Sequence, residues 1–187
     1  GETLITFVKS DRQDIRPFYH FAFNIPENKI QSAFDWQRPK TPLVRPGIDS
    51  IVNFNHWNAH SIFFLDPAGN LVEYIARHDL KNAAPGSFSS KDILYASEIG
   101  LIVNDVNAAG NAIVKELEIG PYRQPLNGFW VFGDEYGLLL TVGKGRLWAS
   151  HSGEAATDIF KTSATVRSPN NKGMKFLDYP YEIISQG

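Results

Sequence analysis

Cysteine is absent from the 187 residues of this chain. That excludes a disulfide framework and any thiol chemistry, and it is the usage expected of a cytoplasmic protein. Long hydrophobic runs are missing as well. None approaches the roughly 18 residues that announce a membrane helix, and no secretory leader pattern opens the chain. Neither sign of charge is in excess. Lys and Arg number 18 against 20 Asp and Glu, for a net charge of −2 and a pI of about 6.2, which argues against nucleic acid or an anionic membrane as partner. The first residue is Gly rather than Met, so the first element is expected to be incomplete. What is present is 43% hydrophobic and 13% aromatic residues, enough to give one large domain or two small ones a real core.

The richest stretch is His60 to Arg77, HSIFFLDPAGNLVEYIAR, which reads as two strands joined by a tight turn. Pro67 sets φ early in the turn, and Gly69 and Asn70 tolerate the positive φ that closes it. Along the outgoing strand Leu71, Glu73 and Ile75 share one face, while Val72, Tyr74 and Ala76 share the other. Both faces are otherwise apolar. A carboxylate in such a strand costs several kcal/mol unless it is paired, hydrogen-bonded or bound to a metal, so Glu73 requires an explanation.

In chain order, Leu4–Val8 reads as a short strand and 10–16 as a polar connection. Residues 17–25, PFYHFAFNI, form an aromatic strand in which His20, Ala22 and Asn24 alternate with Tyr19, Phe21, Phe23 and Ile25. Pro26 opens a helix through Gln37, with Ile30, Ala33, Phe34 and Gln37 on one stripe. A proline-rich loop over 38–47 precedes a strand at 48–54. Residues 78–91, with Pro85 and Gly86, are the best linker. They separate a first part, 1–80, whose strand–helix–strand–strand–strand unit covers 17–77, from a second part, 92–187. There the order restarts: strand 99–103, helix 105–117, strands 129–132 and 138–142, then C-terminal strands near 159–166 and 181–184. The two halves align as an internal repeat, with Glu98 over His20, Gly137 over Gly69 and Thr141 over Glu73.

A βαβββ unit used twice, with Tyr19-His20-Phe21-Ala22-Phe23 on its first strand and Asp66-Pro67-Ala68-Gly69-Asn70-Leu71-Val72-Glu73 leading into its last, resembles the glyoxalase I, bleomycin-resistance and extradiol dioxygenase superfamily, the vicinal oxygen chelate proteins. The resemblance covers residues 17 to about 148. It implies an α+β fold of repeated βαβββ units forming a concave mixed-sheet half-barrel. It also implies a divalent metal (Fe, Mn, Ni or Zn) held by His20 and Glu73. Imidazole with carboxylate suits these ions. The repeat would make the four family positions His20, Glu73, Glu98 and Thr141, which departs from the usual ligand set; Glu98 remains a third candidate.

His60 is a further candidate whose side depends on the hairpin register. If Asp66 pairs with Asn70, Phe63 faces Glu73 and His60 points away. If Leu65 pairs with Asn70, His60 shares the face of Glu73. Gly143-Lys144-Gly145-Arg146 lacks the spacing of a phosphate-binding loop, and Ser150-His151 lacks the setting of a hydrolase nucleophile. Two functions are therefore expected from this resemblance. One is a metal-dependent lyase or ring-cleaving dioxygenase acting on a small molecule with vicinal oxygens. The other is a metal-free protein that sequesters a small ligand, as bleomycin-resistance proteins do. A homodimer is expected by analogy.

Overall fold

The computed structural model describes residues 3–9, 16–44, 51–126, 128–147, 157–176 and 179–187. The chain divides into two compact units, Gly1–Ser97 and Glu98–Gly187. The first holds β1 (His20–Ile25), α1 (Ile30–Gln37), β2 (Val52–Phe54), β3 (Ala59–Leu65) and β4 (Leu71–Arg77), the expected βαβββ order. β3 and β4 form an antiparallel hairpin with Phe63 opposite Glu73. β4 then runs parallel to β1, with His20 beside Leu71 and Ala22 beside Glu73.

The D-P-A-G-N turn does more than close that hairpin. Asp66 Oδ1 accepts the backbone N–H groups of Ala68 and Asn70, both at 2.8 Å, and Asp66 Oδ2 accepts the Asn70 amide at 2.8 Å. Gly69 takes φ +90°, which suits a residue without a Cβ. Asn70 Oδ1 in turn accepts the backbone N–H of Tyr19 at 3.1 Å, and Leu71 N–H donates to Tyr19 O at 2.9 Å. The turn therefore fixes where β1 begins, and with it the height of His20 on the sheet.

α1 starts four residues later than the sequence suggests. Pro26 to Lys29 form a separate turn, Lys29 N–H bonding Pro26 O at 2.9 Å. Lys29 instead reaches Asp92 Oδ1 at 2.5 Å, where the two side chains are only 4% and 14% exposed. Ser89 adds its N–H and hydroxyl to the same carboxylate at 2.7 and 3.0 Å. The Lys29 hydrogen bond, aided by Ser89, holds the Asp92 carboxyl below its ordinary 3.8. Lys29→Met leaves that carboxylate without its cation. It is expected to cost about 3 kcal/mol, the low end for a broken buried pair because Asp92 keeps some solvent. Because the folded value is depressed, the contribution is complete above the ordinary carboxylate value and disappears as pH falls through the folded one. Urea denaturation of both proteins at pH 7 and near pH 3 checks this: the difference should shrink in acid.

Leu4–Val8 does not form the expected strand. Leu4, Phe7 and Val8 are 88%, 65% and 85% exposed. A strand needs a partner backbone to pair with, and no ladder among the described residues includes 4–8. The linker carries two short 3₁₀ turns, His78–Leu80 and Ser90–Asp92. Residues 10–15, 45–50 and the Ser150-His151 pair lie outside the described residues.

The second unit holds most of β5 (Tyr95–Val103), then α2 (Val106–Ala112, continued by a π-helical turn through Leu117), β6 (Phe129–Asp134) and β7 (Gly137–Gly143). Asp105 caps α2, its Oδ1 accepting the Ala108 N–H at 2.9 Å. Where a strand would match β2, the described residues show isolated bridges to β6, Pro121 with Phe132 and Leu126 with Phe129; Pro121 sits at a non-hydrogen-bonded pair, with Gly133 N–H donating to Gly120 O and Tyr122 N–H to Val131 O on either side of it. Within the first unit the strands fall in the order β2-β3-β4-β1; within the second they run β5-β7-β6, and a further sheet runs β8-β10-β9. β8 (Thr162–Arg167), β9 (Lys172–Lys175) and β10 (Tyr181–Gln186) supply Met174, Tyr181 and Ile183 to a core with Leu101, Ile113, Leu117, Phe132 and Leu139. β9 is absent from the sequence reading: its Lys172-Gly173-Met174-Lys175 has only one buried apolar residue to mark it.

Candidate metal centre

Strand parity assembles the centre in the first unit. His20, Ala22 and Asn24 of β1, Leu71, Glu73, Ile75 and Arg77 of β4, and Ser61 and Phe63 of β3 are register partners on one face. His20 Nε2 lies 3.4 Å from Glu73 Oε2, with both side chains nearly excluded from solvent. The other ring nitrogen, Nδ1, is 3.2 Å from the carbonyl of Leu71. A carbonyl only accepts, so Nδ1 carries the proton and Nε2 is the nitrogen turned to Glu73. Phe63, directly opposite Glu73, places its ring 6.2 Å from the imidazole and limits the positions the ring can take.

Glu98, 4% exposed on β5, adds a third oxygen. One donor atom from each of His20, Glu73 and Glu98 lies within 4.8 Å of the others, so this buried group is suited to hold a metal ion. The spacing fits. Two donors bound at about 2.0–2.1 Å to a tetrahedral ion stand about 3.4 Å apart, close to the His20–Glu73 separation, whereas a charge-assisted N–H···O⁻ bond is shorter, about 2.7–2.9 Å. One imidazole with two carboxylates is a borderline-to-hard set that suits Zn, Mn or Fe(II). The backbone carbonyl behind His20 is the usual outer partner that orients a ligating imidazole.

The fourth position differs from the sequence alignment. β5 runs parallel to β7 with Glu98 beside Leu138 and Gly100 beside Leu140. In the first unit the same steps read His20 beside Leu71 and Ala22 beside Glu73. Leu140, not Thr141, therefore corresponds to Glu73. The cause is turn length. Five residues separate the paired Leu65 and Leu71, whereas Asp134 pairs with Gly137 across only two. Aligning the two turn glycines thus slips the strand by one residue and turns every side chain to the other face. Thr141 faces the opposite side and donates its hydroxyl to Trp130 O at 2.9 Å.

His60 is not part of this group. Asp66 N–H bonds Asn70 O at 3.0 Å, so Phe63 faces Glu73 and His60 pairs with Ala76 on the reverse face. There its Nδ1 meets His78 Nε2 at 2.7 Å. Burial lowers the pKa of His60 and neighbouring His78 lowers it further. Tyr74 is on the reverse face too, and burial pushes its hydroxyl up to about 12, which removes it as a base near neutrality.

The sequence reading overlooked two groups on the centre's face. Arg77 is fully buried. Its Nε donates to Asn24 Oδ1 at 3.2 Å, Asn24 Nδ2 donates to the Tyr95 hydroxyl at 2.9 Å, and the guanidinium carbon stands 5.6 Å from the Trp57 ring centre. Its spacing of four from Glu73, which on a strand means the same face, was the available signal. Ser61 is the second: its Oγ is buried and has no hydrogen-bond partner among the described residues.

With that geometry in place, solved structures show which folds this one is like. A single-substitution form of glyoxalase I from Zea mays matches with TM-score 0.51 at 14% identity, over 92% of this chain and 71% of that one. A protein from Bacillus subtilis assigned provisionally as a dioxygenase matches with TM-score 0.51 at 11% identity, over 90% of this chain and 62% of that one. Another glyoxalase I structure from Zea mays matches at 18% identity over 67% of this chain and 42% of that one, with TM-score 0.45. The fold is thus like that of these glyoxalase and dioxygenase-like structures. The chain spans less than half of one of these proteins and between about six-tenths and seven-tenths of the others. No family model and no curated protein matches the sequence.

Proposed function

We propose that the chain is a metal-dependent enzyme, a lyase or ring-cleaving dioxygenase, acting on a small molecule that carries vicinal oxygens. The observation that carries this is the His20–Glu73 separation of 3.4 Å with Glu98 in the same cluster, a donor set placed for one ion. A bound ion would supply Lewis acidity toward substrate oxygens. The chain's own residues do the rest. Leu71 O holds His20 in the tautomer that presents Nε2. Phe63 keeps one flank apolar. Ser61 Oγ, buried and without a partner among the described residues, is free to bond a polar substrate atom, since an unmet buried hydroxyl is costly.

A second reading has a specific observation behind it. Leu140 stands where the repeat would place a fourth ligand, and an apolar residue there favours a metal-free protein that sequesters small ligands. Calorimetry with catechol as the vicinal-oxygen probe separates the two. The enzyme reading expects catechol to bind only metal-loaded protein, and binding to be lost in Glu73→Ala. Equal binding to metal-free protein would establish the sequestering reading instead, and no binding to either form would count against both.

A further inference from the structure

We propose a second transition-metal site on the reverse face of the first unit's sheet, formed by His60 and His78 with Glu27 behind them, independent of the His20–Glu73 centre. Three neighbouring segments converge there. His60 is on β3, His78 follows β4 directly, and Glu27 follows β1, and these strands are adjacent in the order β3-β4-β1. The register of His60 with Ala76 puts His60 on the face opposite Glu73; His78, in the 3₁₀ turn after β4, and Glu27, in the turn after β1, are placed beside it by their side-chain contacts. Backbone pairing continues to the site, with His78 N–H donating to Asn58 O at 2.9 Å.

The ring geometry is directional. His60 Nδ1 and His78 Nε2 point at each other across 2.7 Å, while the far nitrogen of His78, Nδ1, turns to Glu27 Oε2 at 3.9 Å. At that distance Glu27 makes no hydrogen bond to the ring, but its negative charge on that side favours the proton on Nδ1, which leaves the Nε2 lone pair facing His60. A carboxylate behind a ligating imidazole is the recurring support of protein metal sites. In the metal-free pair His60 Nδ1–H fills the gap as a donor. An ion takes that place when the His60 proton moves to Nε2, so both rings ligate as neutral imidazoles and no net proton is consumed. The nitrogens must part by about 0.7 Å to reach tetrahedral spacing, a motion that side-chain rotation supplies at a partly exposed pair.

Two imidazoles select borderline ions, with Cu(II) and Ni(II) ahead of or beside Zn(II), over Mg or Ca. His78 and Glu27 are 28% and 19% exposed, so water completes the coordination. Asp79 follows His78 in the chain, and the Asn58 amide donates to its carboxylate at 2.7 Å.

The test uses the full chain with the first centre silenced by His20→Leu, Glu73→Met and Glu98→Met. Zn(II) and Ni(II) are titrated while the imidazole proton and nitrogen resonances of His60 and His78 are followed. One equivalent of ion should shift both rings together. A further His60→Ala or His78→Gln change should weaken binding at least about tenfold, and Glu27→Gln should weaken it severalfold. A thermal melt confirms that each variant is folded. Absence of binding to the silenced chain, or binding that survives His60→Ala and His78→Gln, would overturn the proposal and leave the metal reading of His20 and Glu73 untouched.

Discussion

Replacing His20, Glu73 and Glu98 together by Leu, Met and Met is expected to leave the metal-free protein at least as stable as the parent, and up to about 4 kcal/mol more so. Three ionisable side chains, 3–4% exposed, have been taken out of water. Their mutual attraction recovers that cost only in part, and apolar residues of similar size often do better. Proteins keep such groups where function requires them, so stability rises when the function is removed. With the His60–His78 pair removed by His60→Ala in both backgrounds, adding the preferred metal should stabilise the chain that keeps His20, Glu73 and Glu98 and leave the triple variant unchanged. Single changes behave differently. Glu73→Ala alone leaves a gap and an unbalanced imidazole, and should lower metal affinity by more than about 100-fold, since even residues behind the ligands cost 10–100-fold. Chemical denaturation with and without metal reads all three outcomes. A triple variant that loses more than about 2 kcal/mol would mean that the cluster holds the fold together and was not retained for an ion.

The second large effect is structural. Gly133 has φ +120°, and a Cβ there would stand 2.0 Å from Gly137 O and 3.1 Å from Gly137 C. Those are backbone atoms of the facing strand, paired through Gly133 with Leu138, and they cannot rotate aside. Strain at that φ adds to the clash. Gly133→Ala is therefore expected to cost about 4 kcal/mol or more, in the range reserved for named structural failures, and to lower Tm by about 10 °C or more. Gly137→Ala is the control. Nothing lies within 4 Å of its added Cβ, so it should stay within about 1 kcal/mol. A Gly133→Ala protein that melts like the parent would contradict the β6–β7 hairpin as described. The change also bears on the centre, because Leu138 pairs with Glu98.

Much of the first unit was legible because its signals are local. The alternation of His20, Ala22 and Asn24, the Asp66–Asn70 turn and the lone carboxylate at Glu73 each follow from side-chain parity or turn chemistry. The hairpin register was not legible, since two pairings differing by one residue fit the same letters; Asp66 bonding Asn70 decides it. For the same reason Thr141 was aligned where Leu140 stands: a turn shorter by three residues inverts the strand, and a glycine match hides it. Arg77 escaped because a charged residue at a strand end reads as solvent-facing, whereas Asn24 and Trp57 enclose it. His78 escaped because it opens a polar linker, and only the β3–β4 pairing brings it to His60. Leu4–Val8 looked like a strand because composition records propensity and not whether a partner backbone pairs with it.

The central claim is that His20, Glu73 and Glu98 hold one divalent ion. Elemental analysis tests it most directly, on protein purified without a metal-affinity step and on the triple variant prepared alongside. The account predicts close to one equivalent of Fe, Mn, Ni or Zn in the parent, retained with His60→Ala, and a loss of that equivalent in the triple variant. A parent that carries no metal and takes up none when each ion is supplied in turn, or a triple variant with the same metal content as the parent, would contradict it.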